Sequence, residues 1–213
     1  MVQEVCRAGT EPDGIVFDAE SVRVRRIKED ADYEGVRARF LATLSGARIT
    51  MQIDVGFGDV VYPAPKPVQY PTILDFPAPV LAAYSPESVV AEKLEAMTKL
   101  GPLNSRLKDF FDIWLLADLY EFDGASLAES IHRTFARRGT VLESEPFAFT
   151  AAFAEDKAKQ DQWRAFQRRI QDAVAPEALA EVVVGKPGHK PTVGHLSRAA
   201  HRGVEAPAGR RGG

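Results

Sequence analysis

Six prolines, at positions 63, 65, 67, 71, 77 and 79, crowd the stretch between Tyr62 and Pro79. Proline fixes φ and has no N–H to donate, so this density forbids a helix and limits strands to short edge pieces such as 71–74. The chain on either side must therefore fold as two different kinds of structure, with residues 62–84 as their connection. Residues 1–61 are rich in strand formers and residues 85–184 carry helical periodicity. The expected class is α+β, a β-sheet followed by an α-helical domain.

From Gly14 to about Gly58, Val22, Val24, Ile27, Val36, Phe40, Leu41 and Leu44 are mixed into charged residues. Gly46 predicts a hairpin turn between strands over 35–44 and 47–55. In the second strand Ile49, Met51, Ile53 and Val55 alternate with Thr50, Gln52 and Asp54. One face is thus apolar, and the other carries Gln52 and Asp54 near the strand end. Gly56-Phe57-Gly58-Asp59 terminates the strand, with Asp59 read as a turn residue.

The first helix has clear start signals, Ser85 as N-cap, Pro86 at the first helical position and Glu87 in the first turn, and Gly101-Pro102 stops it after Leu100. Further helices are expected over about 105–120, 126–138 with Gly139 as the stop, 156–172, and briefly after Pro176.

Charge separates the last part of the chain from the rest. The 213 residues carry a formal −3, but residues 185–213 hold six Lys/Arg and one acid, leaving −8 for residues 1–184. That basic, glycine-rich tail has few apolar residues to bury and reads as lying outside the fold. Its His189, His195 and His201 recur every six residues, which suits neither one helix face nor a zinc knuckle, and His132 is isolated. A lone Cys6 excludes an internal disulfide framework and reads as a small apolar residue in a reducing compartment. No run of 18 apolar residues occurs and the N-terminus lacks a signal-peptide layout, so a cytoplasmic protein with no membrane partner is expected.

The two central helices break the amphipathic rule. On the first, Val89, Val90, Leu94, Met97 and Leu100 form an apolar arc, Glu92, Glu95 and Lys99 lie opposite, and Lys93 falls inside the arc. Such a lysine either snorkels to water or points into a cleft, where low dielectric makes its charge strong. The second helix is apolar nearly all round, yet Arg106, Lys108, Asp109 and Asp112 crowd its first two turns. Acids near a helix N-terminus complement the dipole, and Lys108 and Asp112 make an i,i+4 pair. Neither effect explains charges of both signs in a core-like helix, where burial is costly unless the charges are paired or used. Lys93, Arg106, Lys108, Asp109, Asp112 and the strand-end Asp54 are the candidate site residues, and Asp109 ranks above Asp112 as the better buried.

Three ordered segments carry a family resemblance: Gln52-Ile53-Asp54-Val55-Gly56-Phe57-Gly58-Asp59, Pro86-Glu87-Ser88-Val89-Val90-Ala91-Glu92-Lys93-Leu94-Glu95-Ala96-Met97, and Arg106-Leu107-Lys108-Asp109-Phe110-Phe111-Asp112. Together they resemble the AbiEii/AbiGii toxin family of nucleotidyltransferases from bacterial toxin–antitoxin and abortive-infection systems, over about residues 14–183. The resemblance implies a polymerase-β-like nucleotidyltransferase sheet in which carboxylates hold Mg²⁺ or Mn²⁺ and a nucleoside triphosphate donates a nucleotidyl group. It implies roles for Asp54 as a metal or acceptor-activating carboxylate supported by Gln52, for Lys93, Arg106 and Lys108 on the phosphates, and for Asp109, with Asp112, in completing the site. It also implies a cognate antitoxin as partner and tRNA ends as the acceptor.

The family's Gly-Ser element and following Asp-x-Asp, the metal–triphosphate pair, have no counterpart in these segments. No Gly-Ser dipeptide occurs, and Asp30-Ala31-Asp32, beside Glu29, reads as a strand connection. Only 13 residues precede Gly14, fewer than a strand–helix–strand unit needs, so the expected sheet is a partial one. Two functions stay open: a nucleotidyltransferase toxin, with Arg133, Arg137, Arg138, Arg164, Arg168 and Arg169 as phosphate contacts or as solvated helix faces, and an inactive binding module that keeps antitoxin or RNA binding. A metal hydrolase is disfavoured because no histidine accompanies the carboxylates.

Overall fold

The computed structural model describes residues 1–9, 12–28, 34–170, 175–185, 194–198 and 201. They form two compact units, Met1–Asp59 and Val60–Gly213. The class is α+β, with small antiparallel sheets followed by helices.

The first unit opens with a short helix, α1 (Val2–Arg7), and continues as a three-stranded antiparallel meander of β1 (Ile15–Lys28), β2 (Glu34–Leu44) and β3 (Ala47–Gly56) in the order β1-β2-β3. Ser45 and Gly46 both take positive φ, 48° and 86°, the two-residue hairpin turn that matches strand twist, and glycine carries the second position without strain. Leu44 then lies opposite Ala47, and the ladder runs without a break to Gly35 opposite Gly56. The β1–β2 register shifts between Asp18 and Arg23. Ser21 stitches this irregularity: its hydroxyl donates to the Asp18 carbonyl at 2.6 Å and accepts from the Leu41 N–H at 2.8 Å. Ala38, Phe40 and Ala42 on β2 are buried along one face, where Phe40 meets Phe17 edge-on at 6.1 Å.

The second unit begins with the proline-rich stretch, which holds a two-stranded ribbon of β4 (Lys66–Gln69) and β5 (Val80–Ala83). The edge piece expected over 71–74 is not a strand. Pro67 is instead accommodated inside β4, because a two-stranded ribbon has edges where a missing N–H costs no ladder bond. The helices follow as α2 (Pro86–Leu100), α3 (Leu107–Leu119), α4 (Gly124–Arg138), α5 (Ala151–Glu155), α6 (Lys157–Ile170) and α7 (Leu179–Val183). Ser85 caps α2 as its sequence signals indicate, accepting from the Ser88 N–H at 3.1 Å. Asp123 caps α4 in the same way, and left-handed Gly139 ends it.

Val90, Leu94 and Met97 of α2, Phe110 and Ile113 of α3, Ile131 and Phe135 of α4, Phe153 of α5, Trp163 and Phe166 of α6 and Val182 and Val183 of α7 share one core. Phe110 stacks on Phe153 at 5.2 Å, and Trp163 lies 5.3 Å from Phe166. Residues 194–198, inside the stretch whose composition reads as lying outside the fold, are helical, and Leu196 joins this core. Gly194 permits the approach, since a Cβ there would meet the Val183 carbonyl oxygen at 3.0 Å. A basic, glycine-rich average conceals an apolar anchor of this kind.

Candidate functional site

The expected site residues fall into two charged constellations, one in each unit. In the first, Asp54 sits on β3 directly opposite Arg37 on β2, and Gln52 lies opposite Arg39. Arg37 grips the carboxylate through two parallel bonds, Nε to Oδ1 and Nη2 to Oδ2, both 2.7 Å. Gln52 accepts from Arg39 Nε at 2.9 Å and donates to Asp54 Oδ2 at 3.1 Å, so its supporting place beside Asp54 is a physical one. The Arg37 hydrogen bonds hold the Asp54 carboxyl below the ordinary aspartate value; partial burial opposes them, and the charges of Arg37 and Arg39 and the Gln52 bond add to them.

A divalent cation of the Mg²⁺ class needs several oxygen ligands, usually more than one carboxylate or a carboxylate with waters and phosphates. Both Asp54 oxygens are committed to Arg37, and among the described residues no three His, Cys, Asp or Glu side chains converge on a point that could hold a metal. The described donor set does not fit Mg²⁺ or Mn²⁺. Asp30 and Asp32 lie outside the described residues. Asp59 follows the turn at Gly58, whose φ is +83°.

In the second unit α2 and α3 pack together, and Lys93, from within the apolar arc of α2, reaches across to α3. Its Nζ donates to Asp109 Oδ1 at 2.6 Å and to Asp112 Oδ2 at 2.7 Å. Asp109 and Asp112 are three residues apart and therefore neighbours on one helix face. Their side chains are 16% and 20% exposed, so Asp109 is slightly the better buried of the two. Lys108 donates to the same Asp112 oxygen at 2.6 Å from a side chain that is 67% exposed.

Burial draws the Lys93 ammonium down, but its hydrogen bonds to Asp109 and Asp112 and their charges outweigh it and raise Lys93 above the ordinary lysine value. For Asp112, burial pushes upward and is overcome by its bonds to Lys108 and Lys93, leaving the carboxyl below the ordinary range. Lys93 is thus a fixed cation at every physiological pH. Arg106 is exposed and occupies the N-cap position of α3, not its apolar arc; its backbone N–H donates to Asn104 Oδ1 at 2.8 Å.

Three features escaped sequence reasoning. Arg37 was recoverable, because a two-residue turn at Ser45-Gly46 makes Leu44 and Ala47 the first pair, and counting outward puts Arg37 against Asp54. Glu95 was placed on the polar side of α2 but is 2% exposed, bound by Arg138 Nη1 at 2.8 Å and by the Thr140 hydroxyl. Arg138 also approaches Glu92 at 3.8 Å, so it serves the α2–α4 contact instead of an outer surface. Arg133 pairs with Glu129 at 2.6 Å and covers the Tyr62 ring at 4.2 Å, and Arg164 pairs with Asp161. These three arginines of the helices are occupied within their own unit.

No described helix is long and apolar enough to cross a membrane. Searches of curated proteins and of solved structures returned no match to the chain. A family model described as nucleotidyl transferase AbiEii toxin, type IV toxin–antitoxin system, matches residues 1–184, which include the Asp54 strand, the Lys93 helix and the Asp109–Asp112 helix. The chain belongs to the AbiEii family of nucleotidyltransferase toxins, a membership that implies a cognate antitoxin.

Proposed function

We propose that the chain transfers a nucleotidyl group from a nucleoside triphosphate to an RNA acceptor such as a tRNA end. Mg²⁺ or Mn²⁺ belongs to this reading as the ion that accompanies the triphosphate, not as a resident of the described carboxylates. The observation that carries the reading is the state of Lys93. An ammonium has three N–H donors, and two are spent on Asp109 and Asp112. The third donor, on a cation pinned in position and unable to lose its proton near neutrality, suits a phosphate oxygen. Phosphoryl-type transfer is mostly positioning and charge neutralisation, which is what a fixed ammonium supplies.

In the proposed reaction an acceptor hydroxyl oxygen bonds to the α-phosphorus and the bond from that phosphorus to the β-phosphate bridging oxygen breaks. Pyrophosphate leaves, and the hydroxyl proton passes to a base. Lys93, aided by Lys108 and Arg106, carries the phosphate charge; Asp109 and Asp112 orient Lys93. Asp54 is the carboxylate proposed for the acceptor hydroxyl, a role that requires Arg37 to release it. The test is incubation with Mg²⁺, each labelled nucleoside triphosphate and total tRNA. Label should enter RNA with the native chain and be lost in Lys93→Ala and Asp109→Ala variants that remain folded; transfer unaffected by both substitutions would refute the assignment.

One observation favours a second reading, a module that binds RNA or its antitoxin without transfer. Arg37 occupies both oxygens of Asp54, and the described residues gather no metal donor set. RNA binding without incorporation of any of the four nucleotides, with Mg²⁺ or Mn²⁺, would establish that alternative.

A further inference from the structure

The polar face of the three-stranded sheet is lined by arginines to an extent that the Asp54 site does not use. In the β1–β2 ladder Arg23 lies directly opposite Arg39, and Arg25 directly opposite Arg37. Arg48 of β3, opposite Thr43, shares this face because Thr43, Arg39 and Arg37 alternate along β2. Like charges facing each other across a ladder destabilise a sheet; Asp54 offsets Arg37, but Arg23 and Arg39 face each other with no carboxylate opposite either in the ladder, which calls for a reason outside the fold.

Among the described residues, carboxylates on the face are few. Asp54 neutralises Arg37. Asp18, which shares the face through its pairing with Leu41, has an oxygen engaged by the backbone N–H groups of Glu20 and Ser21. Arg23, Arg25, Arg39 and Arg48 are exposed; Arg23 donates to the carbonyls of Glu20 and Val22, and Arg39 spends only Nε, on Gln52. Within this sheet Arg25 faces another arginine and no carboxylate.

We infer that this face is a docking surface for the phosphodiester backbone of a nucleic acid. Adjacent strands lie about 4.8 Å apart and alternate residues on one strand about 6.7 Å apart, so Arg23, Arg25, Arg37 and Arg39 form a grid of guanidinium groups a few ångströms on a side. Such a grid meets successive phosphates of a chain better than one compact triphosphate. Aromatic stacking, the other means by which sheets bind single strands, is missing from the grid, since Phe17 and Phe40 pack together on the opposite, apolar face. The contacts are therefore to backbone and indifferent to sequence. An acidic protein fits less well, because a protein interface draws its core from apolar and aromatic groups that this grid does not offer.

Binding is read without nucleotide, so its outcome is separable from that of nucleotidyl transfer. The full chain is titrated with fluorescent single-stranded RNA, duplex RNA and duplex DNA of equal length, in a salt series. Four phosphate contacts give a slope of log K against log salt of about −2.8 to −3.6, which is about a 50- to 150-fold loss of affinity between 50 and 200 mM salt. The double substitution Arg25→Gln/Arg39→Gln should reduce the magnitude of the slope by about 1.4–1.8. It should leave the melting temperature unchanged or higher, because it relieves both cross-strand pairs. Arg137→Gln/Arg168→Gln, which removes the same charge from α4 and α6, should leave the slope as it was. The three nucleic acids rank which backbone is preferred. An unchanged slope in the sheet variant, an equal fall in the helix variant, or tighter binding of poly-glutamate than of any nucleic acid would overturn the inference.

Discussion

Replacing Lys93 by methionine keeps the length of the side chain and removes its charge, leaving Asp109 and Asp112 side by side on α3. Two charge-assisted hydrogen bonds, at 2.6 and 2.7 Å, disappear. Asp112 keeps Lys108, whereas Asp109 has no other ion pair among those the structure records for it. A hydrogen bond to a charged group is worth about 1.5–3 kcal/mol, and breaking a fully buried pair costs about 3–5 kcal/mol. These carboxylates are about a fifth exposed and regain some hydration, so the expected cost is roughly 3 kcal/mol, a melting shift of about 6–12 °C for a unit of this size.

The pH dependence separates this cause from lost packing. Asp112 is depressed in the folded state, so the stability it contributes is present above the unfolded aspartate value of about 3.9 and fades as pH falls through its lower folded value. Lys93 is raised, so its contribution is full below about 10.4, the unfolded lysine value, and fades as pH rises through the folded one. The gap between native chain and Lys93→Met variant should therefore be widest between about pH 5 and pH 9 and should narrow in acid. Denaturant unfolding of both chains across that range is the assay. A gap that stays constant down to about pH 3, or a variant as stable as the native chain at neutrality, would refute the ion-pair account.

Three further outcomes follow from the same geometry. Arg37→Ala should let the Asp54 carboxyl rise towards its ordinary aspartate value, visible as an upward move of its midpoint in a carboxyl-carbon NMR titration; no movement would mean that the paired bonds are not what depresses it. Glu95→Ala strands Arg138 in the α2–α4 contact and should cost about 2–4 kcal/mol in chemical denaturation, less than a fully buried pair because Arg138 also approaches Glu92. Ser85→Ala removes the N-cap of α2 together with the Ser85 hydroxyl's bond to the Tyr62 carbonyl and should cost about 1–2 kcal/mol, whereas Ser85→Asp should recover the cap alone.

The parts of this chain that local rules govern were legible. Alternation of Ile49, Met51, Ile53 and Val55 with polar residues set the faces of β3, and the glycine turn set its partner. Ser85-Pro86 and Gly101 bounded α2, and Gly139 stopped α4, because caps and stops are chemistry of a few adjacent residues; the start of α4 lies two residues before the expected 126, at the Asp123 cap. Lys93 stood out for the opposite reason, as a charge in an apolar arc, which is a conflict between composition and periodicity. What that conflict could not reveal was its resolution. Lys93 meets carboxylates 16 and 19 residues away, and only the packing of α2 on α3 brings them together. Glu95 was misplaced by the same limit: a helical wheel treats every direction away from the apolar arc as solvent, while α4 supplies Arg138 from 43 residues on.

A helix contact depends on a tertiary angle, but an antiparallel ladder is determined by its turn, so Arg37 opposite Asp54 and Arg25 opposite Arg37 are consequences of short-range chemistry at Ser45-Gly46 and along β1 and β2. A substitution elsewhere cannot slide Asp54 away from Arg37 without exposing Phe40 and its neighbours on the buried face. The Asp54 carboxylate is therefore freed only by rotating the Arg37 side chain. An anionic ligand on the arginine face supplies a competing partner for that guanidinium, so nucleic acid bound there should raise the Asp54 midpoint towards that of the Arg37→Ala variant. An Asp54 midpoint insensitive to bound RNA would show that the two sets of contacts are independent.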